Sequence, residues 1–158
     1  MSPSRAFDRL STEAKRALSL AQSEGERTAS PYLGTEHLLL GVLAVERGLG
    51  AQVLSEVGID LAAGRRMVAA APLRSARTEV VPTGAVPTSR VKRVIEFAFD
   101  EARRSGDSVV TTGGLLIGLL LEEDGLASHL LRERGVTADT VRDALARLDG
   151  DGVSETVD

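Results

Sequence analysis

Cysteine and tryptophan are absent from the 158 residues, and the aromatics amount to three Phe and one Tyr. Without cysteine there are neither disulfides nor thiolate metal sites. The two histidines, His37 and His129, are too few to build a metal centre alone. With so few aromatics, the core must be made of Leu, Val, Ile and Ala, and Leu and Ala are strong helix formers. No apolar run approaches the ~20 residues a membrane span needs. The longest, Leu115 to Leu121, suits a short buried helix. Met1 to Leu10 lacks the apolar stretch of a secretory signal, so the expected location is the cytoplasm. The formal net charge of -4 is spread over both signs. That argues against a nucleic-acid partner, which needs a clustered basic face.

What the chain does contain is a repeat. Displacing the sequence by 77 positions lays Thr12–Val68 on Ser89–Leu145 without a gap, and 17 of the 57 pairs are identical. Among them are Glu24/Glu101, Thr35/Thr112, Leu39/Leu116, Gly41/Gly118, Gly48/Gly125, Gly58/Gly135 and Arg65/Arg142. Matched glycines imply matched turns. The segment between the copies carries three Pro within 71–87 and reads as a linker.

Each copy divides into four helices. Ala14, Ala17, Leu18 and Ala21 form an apolar stripe at helical spacing, repeated as Val91, Val94, Ile95 and Ala98. Ser11 or Thr12 is placed to cap the first helix. The second helix starts near Thr35, taken as its N-cap, and is apolar nearly all round, as a central helix must be. Thr112 is expected to cap its counterpart. A third helix covers Leu49–Val57, Gly58 closes it in a left-handed conformation, and Asp60 caps a fourth. No stretch alternates with period two, so no sheet is expected. The predicted fold is all-α, with two pseudo-symmetric four-helix repeats. The boundaries are an arm over 1–10, repeats over 11–70 and 89–148, a linker over 71–88, and an acidic tail over 149–158 expected to be disordered.

The phrase Tyr32-Leu33-Gly34-Thr35-Glu36-His37-Leu38-Leu39-Leu40-Gly41 closely resembles the signature of the Clp N-terminal repeat domain. The flanks Leu20-Ala21-Gln22 and Gly48-Leu49-Gly50-Ala51 agree, and the resemblance covers about residues 5–148. It implies eight helices and a domain that normally precedes ATPase modules, binding adaptors and substrates for an unfoldase. The chain has no Gly-x-x-x-x-Gly-Lys-Ser/Thr phosphate loop and no Gly-x-Ser-x-Gly nucleophile motif. The expectation is a free-standing, ClpC-like module with neither catalysis nor a cofactor. Its expected partners are a Clp unfoldase, its adaptors or substrate proteins. The alternative is a decoy that sequesters a peptide antibiotic aimed at the unfoldase.

The same resemblance singles out Glu36. In ClpC-type domains this Glu holds the guanidinium side of phosphorylated arginine, and a planar guanidinium suits a carboxylate. The second copy departs here, with Gly113 in place of the Glu and Gly114 in place of the His, so any such site is asymmetric. Thr35 and His37 flank the carboxylate, with a structural role the stronger reading for both. Phe7, Lys92 and Arg93, together with Arg74, Arg77 and Arg90, mark a second candidate: a basic docking surface, or a groove between the repeats. Glu46, Glu122, Glu123 and Asp124 read as solvated surface.

Overall fold

The computed structural model describes residues 7–71 and 86–157. The linker residues 72–85, with Arg74 and Arg77, lie outside the described residues. Eight helices lie wholly within the described residues: α1 (Thr12–Arg27), α2 (Thr35–Ala44), α3 (Leu49–Glu56), α4 (Leu61–Ala70), α5 (Ser89–Arg104), α6 (Thr112–Leu121), α7 (Leu126–Glu133) and α8 (Ala138–Gly150); Phe7 and Asp8 before them are helical too. The order is the same in both halves, so the duplication in sequence is a duplication in structure.

Identical residues at matched positions make matched contacts. Gly41 of α2 lies so close to α1 that a β-carbon there would overlap the Ala17 carbonyl, and Gly118 of α6 stands the same way against Val94 of α5. The missing side chain lets each central helix lie directly on the first helix of its repeat. Glu24 of α1 accepts from Arg65 Nη2 of α4 at 2.6 Å. Glu101 of α5 accepts from Arg142 of α8 at 2.8 and 2.9 Å. Each pair ties the first helix of its repeat to the last. Gly58 and Gly135, at φ +81° and +78°, end α3 and α7 in the left-handed conformation that favours glycine. Leu39 and Leu116 are wholly buried at the centre of α2 and α6.

The two repeats are not separate lobes. α3 packs across the boundary on α6, and α7 packs on α2 as well as on its own α6. The segments before the helices also cross. Leu33 pairs with Pro87 in a parallel register that joins β1 (Tyr32–Leu33) to β2 (Val86–Pro87), and Leu10 bridges Val110. These are the same pairing seen from each side, since Leu10 and Val110 are the 77-residue mates of Pro87 and Leu33. Such reciprocal contacts mark an internal twofold. The expectation of no sheet is thereby corrected: two-residue strands are too short to show any alternation.

Two further expectations fail. The N-caps of α2 and α6 are Gly34 and Thr111, not Thr35 and Thr112. Each of the expected threonines begins its helix one residue inside and turns its hydroxyl to the other repeat. The acidic tail is also ordered where it is described. After α8 the chain reverses at Gly152 (φ +85°), Val153 N–H returns to Leu148 O, and Thr156 O accepts from Thr12 N–H. Glu155 is left 7% exposed. Its carboxylate is buried with hydrogen-bond partners enough to replace water, which tail composition does not reveal.

Candidate functional site

Helix starts leave backbone N–H groups without intrahelical partners and carry positive partial charge. The packing of α3 and α7 across the boundary gathers these starts into two clusters, one on each side of the internal twofold. In the first, Ser11 caps α1, Leu49 opens α3 and Thr112 opens α6. In the second, Thr88 caps α5, Leu126 opens α7 and Thr35 opens α2. The two sets are 77-residue mates.

The clusters are assembled by the hydroxyls that do not cap their own helices. Thr35 Oγ1 accepts from Ala127 N–H at 3.2 Å, and Thr112 Oγ1 accepts from Gly50 N–H at 2.9 Å. Each supplies to the other repeat the cap that a glycine there cannot provide. Gly125 and Gly48 are the N-caps of α7 and α3. A β-carbon on either would sit 2.9 Å from Thr35 Oγ1 or 2.7 Å from Thr112 Oγ1.

The second cluster faces a cavity of about 110 Å3, lined among others by Thr35, Glu36, Thr88, Arg90, Leu126 and His129. No protein group described here takes the Thr35 or Leu126 N–H. Glu36 is 9% exposed and forms no hydrogen bond with the described residues. It folds over Gly34, whose missing side chain leaves room for the carboxylate. His37 points elsewhere. It is 4% exposed, and its Nδ1 accepts from Gly34 N–H at 3.0 Å while its backbone N–H donates to Gly34 O at 3.1 Å. This closes the start of α2 and makes the imidazole a cap rather than a ligand. Burial pushes His37 below the ordinary imidazole value, against the attraction of Glu36 and Glu24. The neutral ring is the form that can accept from Gly34.

The sequence resembles known proteins in one consistent direction. The model of the Clp repeat (R) N-terminal domain matches residues 9–134 and again 87–156. The chain belongs to this family. It is 33% identical over 149 residues to the chloroplastic ClpA homolog CD4B of Solanum lycopersicum, covering 94% of the chain and 16% of that relative. It is 34% identical over 158 residues to chloroplastic ClpC of Pisum sativum, covering 98% and 17%. The chain therefore spans about a sixth of the length of the curated relatives it matches. Among solved structures, the N-terminal domain of ClpD from Arabidopsis thaliana superposes with a TM-score of 0.72 at 27% identity, over 90% of this chain and 96% of that one. A complex of the ClpV N-domain with a VipB peptide superposes at 0.71 and 17% identity, over 92% and 90%, a likeness of fold.

Within this Clp repeat fold, the second copy of the Gly-Thr-Glu-His phrase is altered in space as well as in sequence. A β-carbon at Gly113 would lie 2.6 Å from Leu145 Cδ2. Leu145, matched to Val68, occupies the volume beside the lost carboxylate. With Gly114 in place of His37, Thr111 caps α6 instead, accepting from Gly114 N–H at 3.1 Å. Thr35 and Glu36 thus share a cavity, while Phe7, Lys92 and Arg93 do not line it. Phe7 is half exposed beneath Lys15, whose Nζ is 5.2 Å from the ring centre. Lys92 is exposed, and Arg93 Nε reaches Glu122 Oε2 at 3.3 Å. Glu122 itself is buried, which corrects its reading as solvated surface. Thr88 and Leu126 escaped the sequence reading of the site. The signal was present, because their 77-residue mates are Ser11 and Leu49.

Proposed function

We propose that this Clp repeat domain is a protein-binding module of a Clp protease or chaperone system. It engages a substrate, an adaptor or the unfoldase through the cavity at Glu36. The observation that carries this reading is a carboxylate that lines a cavity without a hydrogen bond to the described residues, set beside two helix-start N–H groups. A ligand that satisfies both must present a cation and an oxoanion side by side. The phosphoguanidinium of phosphoarginine has that order: guanidinium for Glu36, phosphoryl oxygens for the amides of Thr35 and Leu126 and the hydroxyl of Thr88. Arg90 and Asp124 add one charge of each sign to the lining. A ClpV N-domain solved with a VipB peptide supports peptide binding as the general role for the fold.

The test is calorimetry with a phosphoarginine peptide, its unmodified arginine form and a phosphoserine form. One site per chain is expected, selective for phosphoarginine. Glu36→Gln should weaken it roughly ten- to hundredfold, the equivalent of the ~1.5–3 kcal/mol of a charged hydrogen bond. Equal affinity for the three peptides, or binding indifferent to Glu36, would retire the reading.

A further inference from the structure

We propose that Glu155 is an internal ligand, and that the segment Asp151–Val157 is a displaceable strap holding an oxoanion site between the repeats in the occupied state. The site is the cluster formed by the starts of α1, α3 and α6. The Glu155 carboxylate accepts from Ser11 Oγ at 2.6 Å, Leu49 N–H at 2.7 Å and Thr112 N–H at 2.8 Å, and also pairs with the Thr112 hydroxyl. Ser11 and Thr112 are wholly buried. Four donors from three helices thus meet one carboxylate carried by a segment outside the repeat.

The donors belong to helices of the two repeats and the carboxylate to the tail beyond them, so Glu155 is an occupant added to a cluster built by other elements. The same donor set exists at Thr88, Leu126 and Thr35, built from mates of the same residues, and no carboxylate of the described residues reaches those amides. At Thr112 the carboxylate comes from 43 residues further along the chain. Asp151 and Gly152 complete the turn at the end of α8, and beyond them, apart from the carboxylate, the strap is attached by Val153 N–H to Leu148 O, by Val153 against the core and by Thr156 O to Thr12 N–H. Its residues 153–155 also line a cavity of about 570 Å3, together with Leu49, Gly114, Arg142 and Leu145. Releasing the strap would widen that cavity and expose the donors at once. A tethered carboxylate competes at the high effective concentration of a short linker. The site therefore rejects weak anions and yields only to a ligand that also fills the cavity or arrives at high concentration.

The proposal goes beyond the reading of the Glu36 cavity, and the two are separable by amide. Inorganic phosphate is titrated into the 15N-labelled chain while backbone resonances are followed. In the native protein Thr35 and Leu126 should shift at low millimolar phosphate. Leu49 and Thr112 should hold until much higher concentration, then move together with Val153 and Thr156 as the strap leaves. In Glu155→Gln, Leu49 and Thr112 should respond at least tenfold earlier. A variant ending at Asp151 should behave likewise, and guards against a local defect of the substitution. Should Leu49 and Thr112 stay unresponsive in both variants with the fold intact, or respond in the native protein without movement of Thr156, the strap is not a ligand and the proposal fails. A silent Thr35 and Leu126 would count against the Glu36 cavity alone.

Discussion

Thr35 and Thr112 each cap a helix of the opposite repeat, at Ala127 and Gly50, and each fits against a glycine that a side chain would fill. A helix cap is ordinarily a local device, contributed by the residue that precedes the helix. Here it crosses the boundary between the halves, so the start of one helix depends on the fold of another.

Thr35→Val and Thr112→Val should therefore both destabilise the protein. A lost cap costs ~0.5–2 kcal/mol, and the Thr112 change should cost more because it also breaks the bond to Glu155. Urea melts of the two variants test the order. Equal losses would show that the Glu155 contact contributes nothing to stability.

Leu39→Ala and Leu116→Ala each remove a wholly buried side chain at matched positions. Each should cost ~2–5 kcal/mol from lost transfer energy and the cavity left behind. A loss below ~1 kcal/mol at either position would place that helix away from the centre.

Acid should act in two windows. Hydrogen bonds from Arg65 and Arg142 hold Glu24 and Glu101 below the ordinary carboxylate value of 4.5, against desolvation. Carboxylates lowered in the fold take up protons more readily when unfolded, so stability present above pH 4.5 is lost as pH falls below it. His37 is also lowered, from 6.5, by burial. The unfolded chain protonates first, so its contribution fades as pH drops below 6.5. His37→Ala should flatten the upper window, and Arg65→Gln with Arg142→Gln the lower. Melting temperatures at half-unit pH steps decide whether the two windows separate.

Gly113→Glu on its own should not rebuild a second carboxylate site. Its β-carbon meets Leu145, so the single variant should lose stability by ~1–3 kcal/mol from overpacking. Adding Leu145→Val, the residue found in the first repeat, should recover part of that loss. Additive effects in a double-mutant cycle would mean that the two positions do not share the space.

Much of this was legible in one dimension because the repeat makes every identity a question with two answers. Glu24/Glu101 and Arg65/Arg142 are identical because each pair is a bridge, and Gly41/Gly118 because each central helix lies on another backbone. The misread cap shows the limit. A threonine at the head of an apolar run looks the same whether it caps its own helix or one 92 residues away. The tail was harder still. Asp, Gly and Glu beyond the last helix suggest a solvated end, and only the meeting of three helix starts gives Glu155 a place. The Glu36 cavity lay between these cases: the carboxylate was marked by its motif, but the amide of Leu126 came from the other half of the molecule.

The crossed pairings of Leu33 with Pro87 and Leu10 with Val110 bear on ancestry. These pairings, and the threonine caps, each have a mate in which the halves exchange roles, so one repeat carries both the giving and the receiving surface. Two copies of such a unit could close on each other as a symmetric homodimer, with each capping the other's helices. Joined in one chain the copies need not stay alike, and here one carries Glu36 where the other has Gly113.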